Sequence, residues 1–438
     1  MNIILLSGGS GKRLWPLSND VRSKQFIKIF KDEEGGEYRS MVQRIYSQIK
    51  TVDPDATVTI ATSKSQVSAI HNQLGTEVGI SVEPCRRDTF AAIALATAYL
   101  HDVQGVPETE AVVVCPVDPY VDLSYFECVN DLCKEAEKGE KNLVLMGIEP
   151  TYPSEKYGYI KPMTDENGNR SYAFTEKPTK DKAQEYINQG ALWNGGVFAY
   201  KLSYVLNKSK ELLGTTDYNE LFNGYADLKK ISFDYAVVEA ESSIGVLTYS
   251  GSWKDLGTWN TLTEAMEENV IGEGRMNETC SNVHIINELD IPILGMGLHD
   301  VVISASPEGI LVSDKEQSSY IKPYVDAISQ QIMFAEKSWG SYRVLDVEEE
   351  SLTVKVTLNP KHSMNYHSHD HRDEVWTVIS GSGKTIVDGM DQPVKPGDVI
   401  TMQAGCKHTV IAGDDGLQLI EVQLGKDISV SDKHKYEL

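Results

Sequence analysis

A glycine-rich loop with two basic side chains follows the first hydrophobic stretch of the chain. From Leu6 to Leu14 it reads Leu-Ser-Gly-Gly-Ser-Gly-Lys-Arg-Leu. Glycines allow backbone N–H groups to turn towards a ligand, and basic side chains supply charge for phosphate oxygens. The spacing fits neither a Walker loop nor a Gly-x-Gly-x-x-Gly motif. The loop therefore indicates phosphate binding, and a tight strand-to-helix turn is the structural alternative.

The first 31 residues carry a local surplus of positive charge. They contain one acid, Asp20, and six basic side chains: Lys12, Arg13, Arg22, Lys24, Lys28 and Lys31. The whole chain of 438 residues has 41 Lys and Arg against 64 Asp and Glu, which gives a net charge of −23. A structural turn does not need such a local surplus, whereas a nucleoside triphosphate does. The acidic total argues against non-specific nucleic-acid binding.

Histidines are concentrated in the last part of the chain, where six of the ten follow residue 361. The spacing of His367, His369 and Glu374, together with His408 further on, resembles the two motifs of the cupins. Alternate residues of a strand point to the same side, so the first two histidines can both face a barrel interior. The four side chains could hold Zn, Fe, Mn or Ni. A metal-free barrel with solvated histidines is the alternative.

Short apolar runs alternate with amphipathic stretches over the first 150 residues. Strands are predicted at residues 3–6, 58–61, 79–82, 111–115 and 143–146, and helices at residues 63–74, 89–100 and 125–138. This alternation indicates an α/β domain with a mostly parallel sheet and helices on both faces. Ligands of such a sheet lie at the C-terminal ends of its strands.

The rest of the chain is predicted to be richer in strands. Residues 151–262 continue the first domain, with strands at 157–161, 172–175 and 197–200. Short strands at 283–286, 301–304 and 310–312, followed by a helix over 324–334, indicate a connecting subdomain. Turn signals after Lys337 indicate a small β-barrel.

The hydrophobic runs, the N-terminus and the cysteines indicate where in the cell the protein is expected. No apolar run approaches the roughly 20 residues that span a bilayer, and the N-terminus does not resemble a signal peptide. The six cysteines, at positions 85, 115, 128, 133, 280 and 406, form no Cys-x-x-Cys pair. Free thiols suit a reducing cytosol. We therefore expect a soluble cytoplasmic protein with no membrane or nucleic-acid partner.

Sequence blocks in a characteristic order resemble the sugar-phosphate nucleotidyltransferases, in particular the mannose-1-phosphate guanylyltransferase branch. The blocks are residues 8–18, 24–26, 83–89, 147–160, 174–178, 193–198, 234–239 and 253–259. The resemblance implies that α-D-mannose 1-phosphate attacks the α-phosphorus of GTP, which yields GDP-mannose and pyrophosphate. Catalysis would come mostly from positioning and electrostatic stabilisation.

The resemblance assigns a role to individual residues. Asp118 and Asp255 would hold a Mg²⁺ ion, which suits few, hard oxygen ligands. The implied nucleotide-binding residues are Leu6, Gly8, Gly9, Gly11, Lys12, Arg13, Lys24, Glu83, Arg87 and Asp88. The implied sugar-phosphate-binding residues are Gly158, Glu176, Lys177 and Asn194. The residues expected to be catalytic are Arg13, Lys24, Asp118, Asp255 and Arg372.

The C-terminal region resembles the mannose-6-phosphate isomerase part of bifunctional enzymes, with Arg372 expected near the phosphate or the ene-diolate. The family pattern is altered at His367 and Val375. The resemblances together predict a Rossmann-like nucleotidyltransferase domain at residues 1–265, a β-rich connecting subdomain at 266–335 and a cupin barrel at 336–438.

Some alternatives stay open. Asp88 and the Pro119-Tyr120 pair depart from the guanylyltransferase pattern, so another nucleoside triphosphate or sugar 1-phosphate is a rival substrate. A catalytically silent sugar-nucleotide sensor is less favoured, because the charged residues needed for transfer are retained. The residues do not determine the oligomeric state, for which a homodimer is our working hypothesis.

Overall fold

The computed structural model describes residues 1–9, 12–31, 36–164, 170–426, 428–429 and 431–437. The chain divides into two compact units. The N-terminal unit contains Met1–Ser10, Lys24–Val67 and Leu74–Glu267, and the C-terminal unit contains Gly11–Ser23, Ser68–Gln73 and Glu268–Leu438. The three predicted domain boundaries stay a prediction.

The N-terminal unit alternates strands and helices. Its strands are β1 (Asn2–Ser7), β2 (Lys28–Lys31), β3 (Tyr38–Ser40), β4 (Thr57–Ser63), β5 (Gly79–Glu83), β6 (Ala111–Pro116), β7 (Pro119–Val121), β8 (Leu143–Ile148), β9 (Tyr159–Thr164), β10 (Arg170–Thr175), β11 (Leu192–Lys201), β12 (Ile244–Tyr249) and β13 (Trp253–Asp255). The helices over this part of the chain are α1 (Met41–Val52), α2 (Val67–Leu74), α3 (Asp88–Asp102), α4 (Leu123–Lys138), α5 (Lys180–Asn188), α6 (Leu202–Leu213), α7 (Tyr218–Gly224), α8 (Phe233–Ala236) and α9 (Trp259–Thr263). Most of α2 is assigned to the C-terminal unit.

The main sheet of the N-terminal unit is mixed. Its order is β10-β9-β11-β6-β1-β4-β5, and β8 and β12 extend it beside β11. The strands β6, β1, β4 and β5 are parallel, whereas β11 runs antiparallel to β6, β8 and β9. The predicted α/β class is confirmed, with the antiparallel strands concentrated at 159–201.

The core of this unit follows from runs of apolar residues that are buried on both faces of the sheet. Val112, Val113 and Val114 on β6 are fully buried, as expected when helices cover both faces. Helix α3 is apolar on nearly all sides, and the residues from Phe90 to Ala98 are buried along its length. Helix α1 begins with a capping box in which Ser40 and Gln43 bind each other's backbone N–H groups.

The C-terminal unit is built mostly from strands. They are β14 (Val270–Ile271), β15 (Gly274–Met276), β16 (His284–Asn287), β17 (Ile293–Gly295), β18 (Val301–Ser306), β19 (Gly309–Asp314), β20 (Phe334–Lys337), β21 (Gly340–Val347), β22 (Ser351–Leu358), β23 (His367–Ser368), β24 (Asp373–Val387), β25 (Met390–Val394), β26 (Val399–Met402), β27 (His408–Leu424) and β28 (His434–Lys435). Helix α10 (Lys322–Asp326) lies between β19 and β20.

Two different sheet arrangements follow one another in this unit. Strands β14, β16 and β18 are parallel, and β15 pairs in parallel with β17, so the chain winds in short successive coils. From β20 onwards the strands form one antiparallel sheet of nine strands. Trp376, Val410 and Leu419 are buried in the core of that curled sheet. The predicted cupin class is consistent with this architecture.

Two predicted helices differ from the structure. Helix α2 begins at Val67 rather than at residue 63, because Ser63 still pairs with Glu83 in the sheet. The helix predicted over 324–334 is wrong for most of its length, since α10 ends at Asp326 and β20 begins at Phe334.

One buried carboxylate explains why the end of the predicted helix is extended instead. Glu308 Oε1 accepts the backbone N–H groups of Met333 and Phe334 at 2.9 and 3.0 Å. A helix would have bonded those N–H groups to its own carbonyls, so a contact distant in sequence overrides the local preference.

Among the described residues, no helix has both the length and the apolar character needed to cross a membrane.

Candidate functional site

Two aspartates and a lysine meet at the C-terminal ends of the parallel strands. Asp118 lies between β6 and β7, and β13 pairs with β7 so that Asp255 lies opposite Pro119. The Lys24 ammonium lies 2.9 Å from Asp118 Oδ2 and 3.5 Å from Asp255 Oδ1. The structure therefore brings together three of the residues predicted to be catalytic.

The electrostatics of this group favour a cation between the carboxylates. Burial would lower the pKa of Lys24, but the negative charges of Asp118 and Asp255 outweigh it, and the pKa lies above its usual value. The lysine side chain is 17% exposed, whereas the two aspartates are 42% and 44% exposed. Both carboxylates thus retain oxygens on the open side, where a hard divalent cation could bind.

A buried polar network supports the glycine turn beside this group. Gln25 Nε2 donates to Ser7 Oγ at 2.8 Å, and Thr62 Oγ1 donates to Gln66 Oε1 at 2.9 Å. Gln66 Nε2 in turn donates to the Gly9 carbonyl at 3.3 Å. The network links Gly9 to Gln25, the neighbour of Lys24 in sequence. Sequence reasoning missed Gln66, whose position on a turn gave no signal.

The other members of the predicted phosphate loop are distributed as follows. The Leu6 carbonyl accepts the Val117 N–H at 3.2 Å, just before Asp118. Gly8 and Gly9 are exposed, and a Cβ added to either would meet no atom within 4 Å, so the backbone is accessible to a ligand. Gly11 lies outside the described residues.

Lys12 and Arg13 belong to a segment of the C-terminal unit, Gly11–Ser23. Within that unit, Lys12 Nζ lies 3.2 Å from Asp326 Oδ1, and this hydrogen bond raises the pKa of Lys12. Arg13 is exposed. Arg22 anchors the segment through two hydrogen bonds of 2.8 Å to the Glu288 carboxylate. This bidentate contact gives the segment a defined position in its unit.

The residues predicted at the base and ribose have partners inside the protein. Glu83, at the end of β5, accepts a hydrogen bond of 2.8 Å from Tyr225 Oη, and burial raises the pKa of the Glu83 carboxyl. Arg87 donates to the Ala226 carbonyl. Asp88 has a φ of 68° and accepts the Thr89 N–H at 2.8 Å. Aspartate tolerates this left-handed conformation better than most residues.

The predicted sugar-phosphate residues form a second cluster in the same unit. A Cβ on Gly158 would lie 2.6 Å from both Glu176 Oε2 and Phe174 Cζ, so a larger residue would displace these side chains. The Asn194 N–H donates to the Gly158 carbonyl at 2.8 Å, and Lys177 forms an ion pair with Glu176. The four residues that the resemblance placed at the sugar are therefore neighbours.

Asp234 joins this cluster, although sequence reasoning did not single it out. Its Oδ1 accepts a hydrogen bond of 2.6 Å from Asn194 Nδ2. Burial and the negative charge of Glu176 raise the pKa of Asp234 to about 6. The only sequence signal was its position in the block at 234–239. Two carboxylates and an amide together provide hydrogen-bond acceptors for sugar hydroxyls.

Four predicted metal ligands meet inside the curled sheet of the C-terminal unit. The ligand atoms of His367, His369, Glu374 and His408 all lie within 4.8 Å of one another, and the four side chains are buried. His369 Nε2 is 3.0 Å from Glu374 Oε1, and His408 Nε2 is 3.2 Å from Glu374 Oε2. Three imidazoles and one carboxylate form a ligand set that suits a divalent transition metal.

Hydrogen bonds to backbone carbonyls orient all three imidazoles. His367 Nδ1 donates to the Asn365 carbonyl at 2.6 Å, His408 Nδ1 donates to the Cys406 carbonyl at 3.0 Å, and His369 Nδ1 donates to the Asp432 carbonyl. A carbonyl can only accept, so each Nδ1 carries the proton. Each Nε2 is left with the lone pair that a metal requires.

Arg372 lies beside these ligands. It is buried, with Nε 3.2 Å from Glu374 Oε1 and Nη1 donating to the Ser429 carbonyl at 3.0 Å. The Nη2 atom lies 3.1 Å from His369 Nε2. The predicted catalytic arginine therefore contacts two of the predicted metal ligands.

Comparison with known proteins identifies the family. Residues 2–270, more than half of the chain, match the family model of the nucleotidyl transferases. The chain belongs to that family. Residues 326–437 match a second family model, the C-terminal region of mannose-6-phosphate isomerases. The predicted family and the prediction of a nucleotidyltransferase enzyme are confirmed.

Several relatives match this nucleotidyl transferase over nearly their whole length. A putative mannose-1-phosphate guanylyltransferase of Vibrio cholerae serotype O1 is 27% identical, with 99% of each chain covered. The xanthan biosynthesis protein XanB of Xanthomonas campestris pv. campestris strain B100 is 28% identical over 99% of this chain and 97% of the relative. A crystal structure described as a mannose-1-phosphate geranyltransferase from Thermus thermophilus has a TM-score of 0.61 and 28% identity. It covers 74% of this chain and 98% of its own.

Proposed function

We propose that the protein transfers the guanylyl group of GTP to α-D-mannose 1-phosphate and so forms GDP-mannose and pyrophosphate. Full-length relatives in Vibrio cholerae and Escherichia coli K12 that carry the name mannose-1-phosphate guanylyltransferase support this choice of substrates. In the site itself, the observation that carries the proposal is the position of the Lys24 ammonium between Asp118 and Asp255.

The reaction brings two anions together, so charge neutralisation is its main requirement. Two unit charges 4 Å apart repel by about 1 kcal/mol in water and by about 4 kcal/mol at an effective dielectric constant of 20. Lys24 is a fixed positive charge at the place where the phosphates would meet. Asp118 and Asp255 would hold Mg²⁺, which when bound neutralises phosphate oxygens.

The remaining residues would position the reactants. The exposed Gly8 and Gly9 backbone would cradle the phosphates, and the loop sequence assigns Lys12 and Arg13 to the triphosphate as well. Guanine offers an N1–H and an exocyclic amine as donors, which the Glu83 or Asp88 carboxylate can accept; Arg87 is proposed near the ribose.

The sugar phosphate would bind at the second cluster. Glu176, Asn194 and Asp234 offer acceptors for its hydroxyls, and the absence of a side chain on Gly158 leaves room for the Glu176 carboxylate in the cluster. Lys177 would exchange its ion pair with Glu176 for the phosphate of the substrate. An attacking phosphate oxygen would then be held in line with the α-phosphorus, which is where positioning contributes most to the rate.

The test is pyrophosphate release from GTP and α-D-mannose 1-phosphate by the full chain in the presence of Mg²⁺. Asp118→Asn and Asp255→Asn keep the shape but remove the charge, so kcat should fall at least ~10²-fold. Asp131→Asn, on the exposed face of α4, should retain activity. Normal turnover by both site variants would refute the assignment of the metal to these two residues.

We propose mannose-6-phosphate isomerase as a second activity, located in the C-terminal unit. The supporting observation is the buried set of three histidines and Glu374 within the region that matches the isomerase family model. Isomerisation moves a proton between C1 and C2, and a metal at this set would stabilise the ene-diolate. Conversion of mannose 6-phosphate to fructose 6-phosphate, lost in His369→Ala, would support it. Absence of conversion by the metal-loaded protein would refute it.

A further inference from the structure

We propose that Glu421 and Gln423, on the inner face of β27, bind hydroxyl groups of a sugar phosphate beside the histidine–glutamate centre. The inference rests on the proposed isomerase activity for the choice of sugar, but it concerns residues to which that proposal gives no role. The ligand class is a polyhydroxylated phosphate ester, which is recognised through its hydroxyl groups.

The sheet register places both side chains next to the centre. Strands β24 and β27 are antiparallel, with Glu374 opposite Gln423 and Trp376 opposite Glu421. Directly opposed residues share a face of the sheet and have Cβ atoms about 4.5–5.5 Å apart. Glu421 and Gln423 are each 8% exposed. The two side chains therefore lie on the buried face that carries the predicted metal ligand Glu374.

One atom of this pair has an unused hydrogen-bonding capacity. Gln423 Nε2 donates to Glu421 Oε1, which orients the amide. Gln423 Oε1 is buried and, among the residues that the structure describes, has no hydrogen-bond partner. Buried acceptors are almost always satisfied in folded proteins, so an unsatisfied one needs an explanation. A ligand hydroxyl would donate to this oxygen.

The charged groups around Glu421 favour a hydroxyl over an ion. The negatively charged Glu374 acts on Glu421 electrostatically. Arg372 and Lys433 also act on Glu421 electrostatically. Positive and negative groups are thus balanced around the pair. A carboxylate and an amide oxygen side by side can accept hydrogen bonds from adjacent hydroxyls of one sugar.

Binding of mannitol 6-phosphate to the full-length, Mn²⁺-loaded protein, measured by calorimetry, tests the proposal. This compound lacks a carbonyl group and cannot isomerise, so the readout does not depend on turnover. We expect Gln423→Leu to weaken binding at least tenfold with the metal content unchanged. Gln418→Leu is the matched control, because Gln418 lies on the same strand but alternates with the buried positions. Its affinity should equal that of the wild type.

Equal affinity in the Gln423→Leu variant, or no binding by the wild type, would overturn the proposal. Glu421→Gln, which keeps the size of the side chain, should weaken binding at least threefold, and it decides the outcome if Gln423→Leu does not fold. Failure of the isomerase proposal is distinguishable. Binding that depends on Gln423 without conversion of mannose 6-phosphate refutes only the isomerase, and conversion with Gln423-independent binding refutes only the subsite.

Discussion

Asp234 is expected to destabilise the N-terminal unit at neutral pH, and Asp234→Asn should relieve that effect. The half-buried carboxyl, beside Glu176, has its pKa raised from 3.8 to about 6, mainly by burial. The folded state therefore binds the proton more tightly than the unfolded state. Protonation of Asp234 therefore stabilises the folded state. This stabilisation is fully present below pH 3.8 and is lost as the pH rises through about 6.

The size of the effect follows from the pKa difference. Each pKa unit corresponds to about 1.4 kcal/mol, so a rise from 3.8 to about 6 destabilises the folded state by about 3 kcal/mol above pH 7. At pH 5 the folded form is still mostly protonated, and the destabilisation is about 1.5 kcal/mol. An asparagine does not ionise, and its side-chain oxygen can still accept from Asn194. Asp234→Asn should thus be stabilising, more strongly at pH 8 than at pH 5.

Urea titrations of the full chain at pH 5 and pH 8 measure this difference. The transition of the N-terminal unit is the one that GTP displaces, because a ligand stabilises the unit that binds it. Asp227→Asn, at an exposed position in the same region, should change stability little at either pH. The same Asp234→Asn variant should raise KM for mannose 1-phosphate about tenfold. An equal gain in stability at both pH values, or none, would refute the reasoning.

Three further predictions concern single side chains. Lys24→Met leaves Asp118 and Asp255 without their cation, so turnover should fall at least ~10²-fold. Mg²⁺ should raise the unfolding temperature of this variant more than that of the wild type. An unchanged rate would contradict the prediction. Asp326→Asn removes the closer of the two acidic partners of Lys12, so KM for GTP should fall about twofold to fivefold in steady-state assays at low salt, where exposed charges are least screened. A raised KM would contradict a role of Lys12 in triphosphate binding. His369→Ala removes one of the four ligands in the C-terminal unit, so elemental analysis should show loss of bound metal; full retention would exclude the site.

The order of sequence blocks predicted much of the candidate site. Lys24, Asp118 and Asp255 are separated by long stretches of chain and meet in the structure. The end of the strand predicted at residues 111–115 indicated the sheet edge for Asp118, whereas the family resemblance alone assigned Lys24 and Asp255 to the same site. The histidines and Glu374 followed from the spacing within two sequence motifs.

Other features depended on contacts that local sequence does not encode. Strand β11 has the hydrophobic pattern of a buried strand, but the pattern carries no information on its direction, so the antiparallel part of the sheet was not predicted. A helix was predicted over residues 324–334, but α10 ends at Asp326, and the distant Glu308 carboxylate binds the backbone N–H groups of Met333 and Phe334, where the chain is extended.

Some site residues also became visible only in the structure. Asp234 and Gln423 are polar residues in otherwise ordinary segments, and their chemistry comes from burial and from neighbours across the sheet or cluster. Gln66 supports Gly9 from a turn that precedes α2. Burial of this kind depends on the tertiary fold, and the spacing of motifs does not predict it.

The most direct test of the central claim is a pyrophosphate-release screen of the full chain with Mg²⁺, four nucleoside triphosphates and several sugar 1-phosphates. We predict that GTP with α-D-mannose 1-phosphate gives the highest kcat/KM, because guanine presents two donors to the carboxylates at Glu83 and Asp88. Comparable values with CTP or UTP would contradict the choice of GTP and leave the transfer reaction standing. Failure to release pyrophosphate with any pair would contradict the account as a whole.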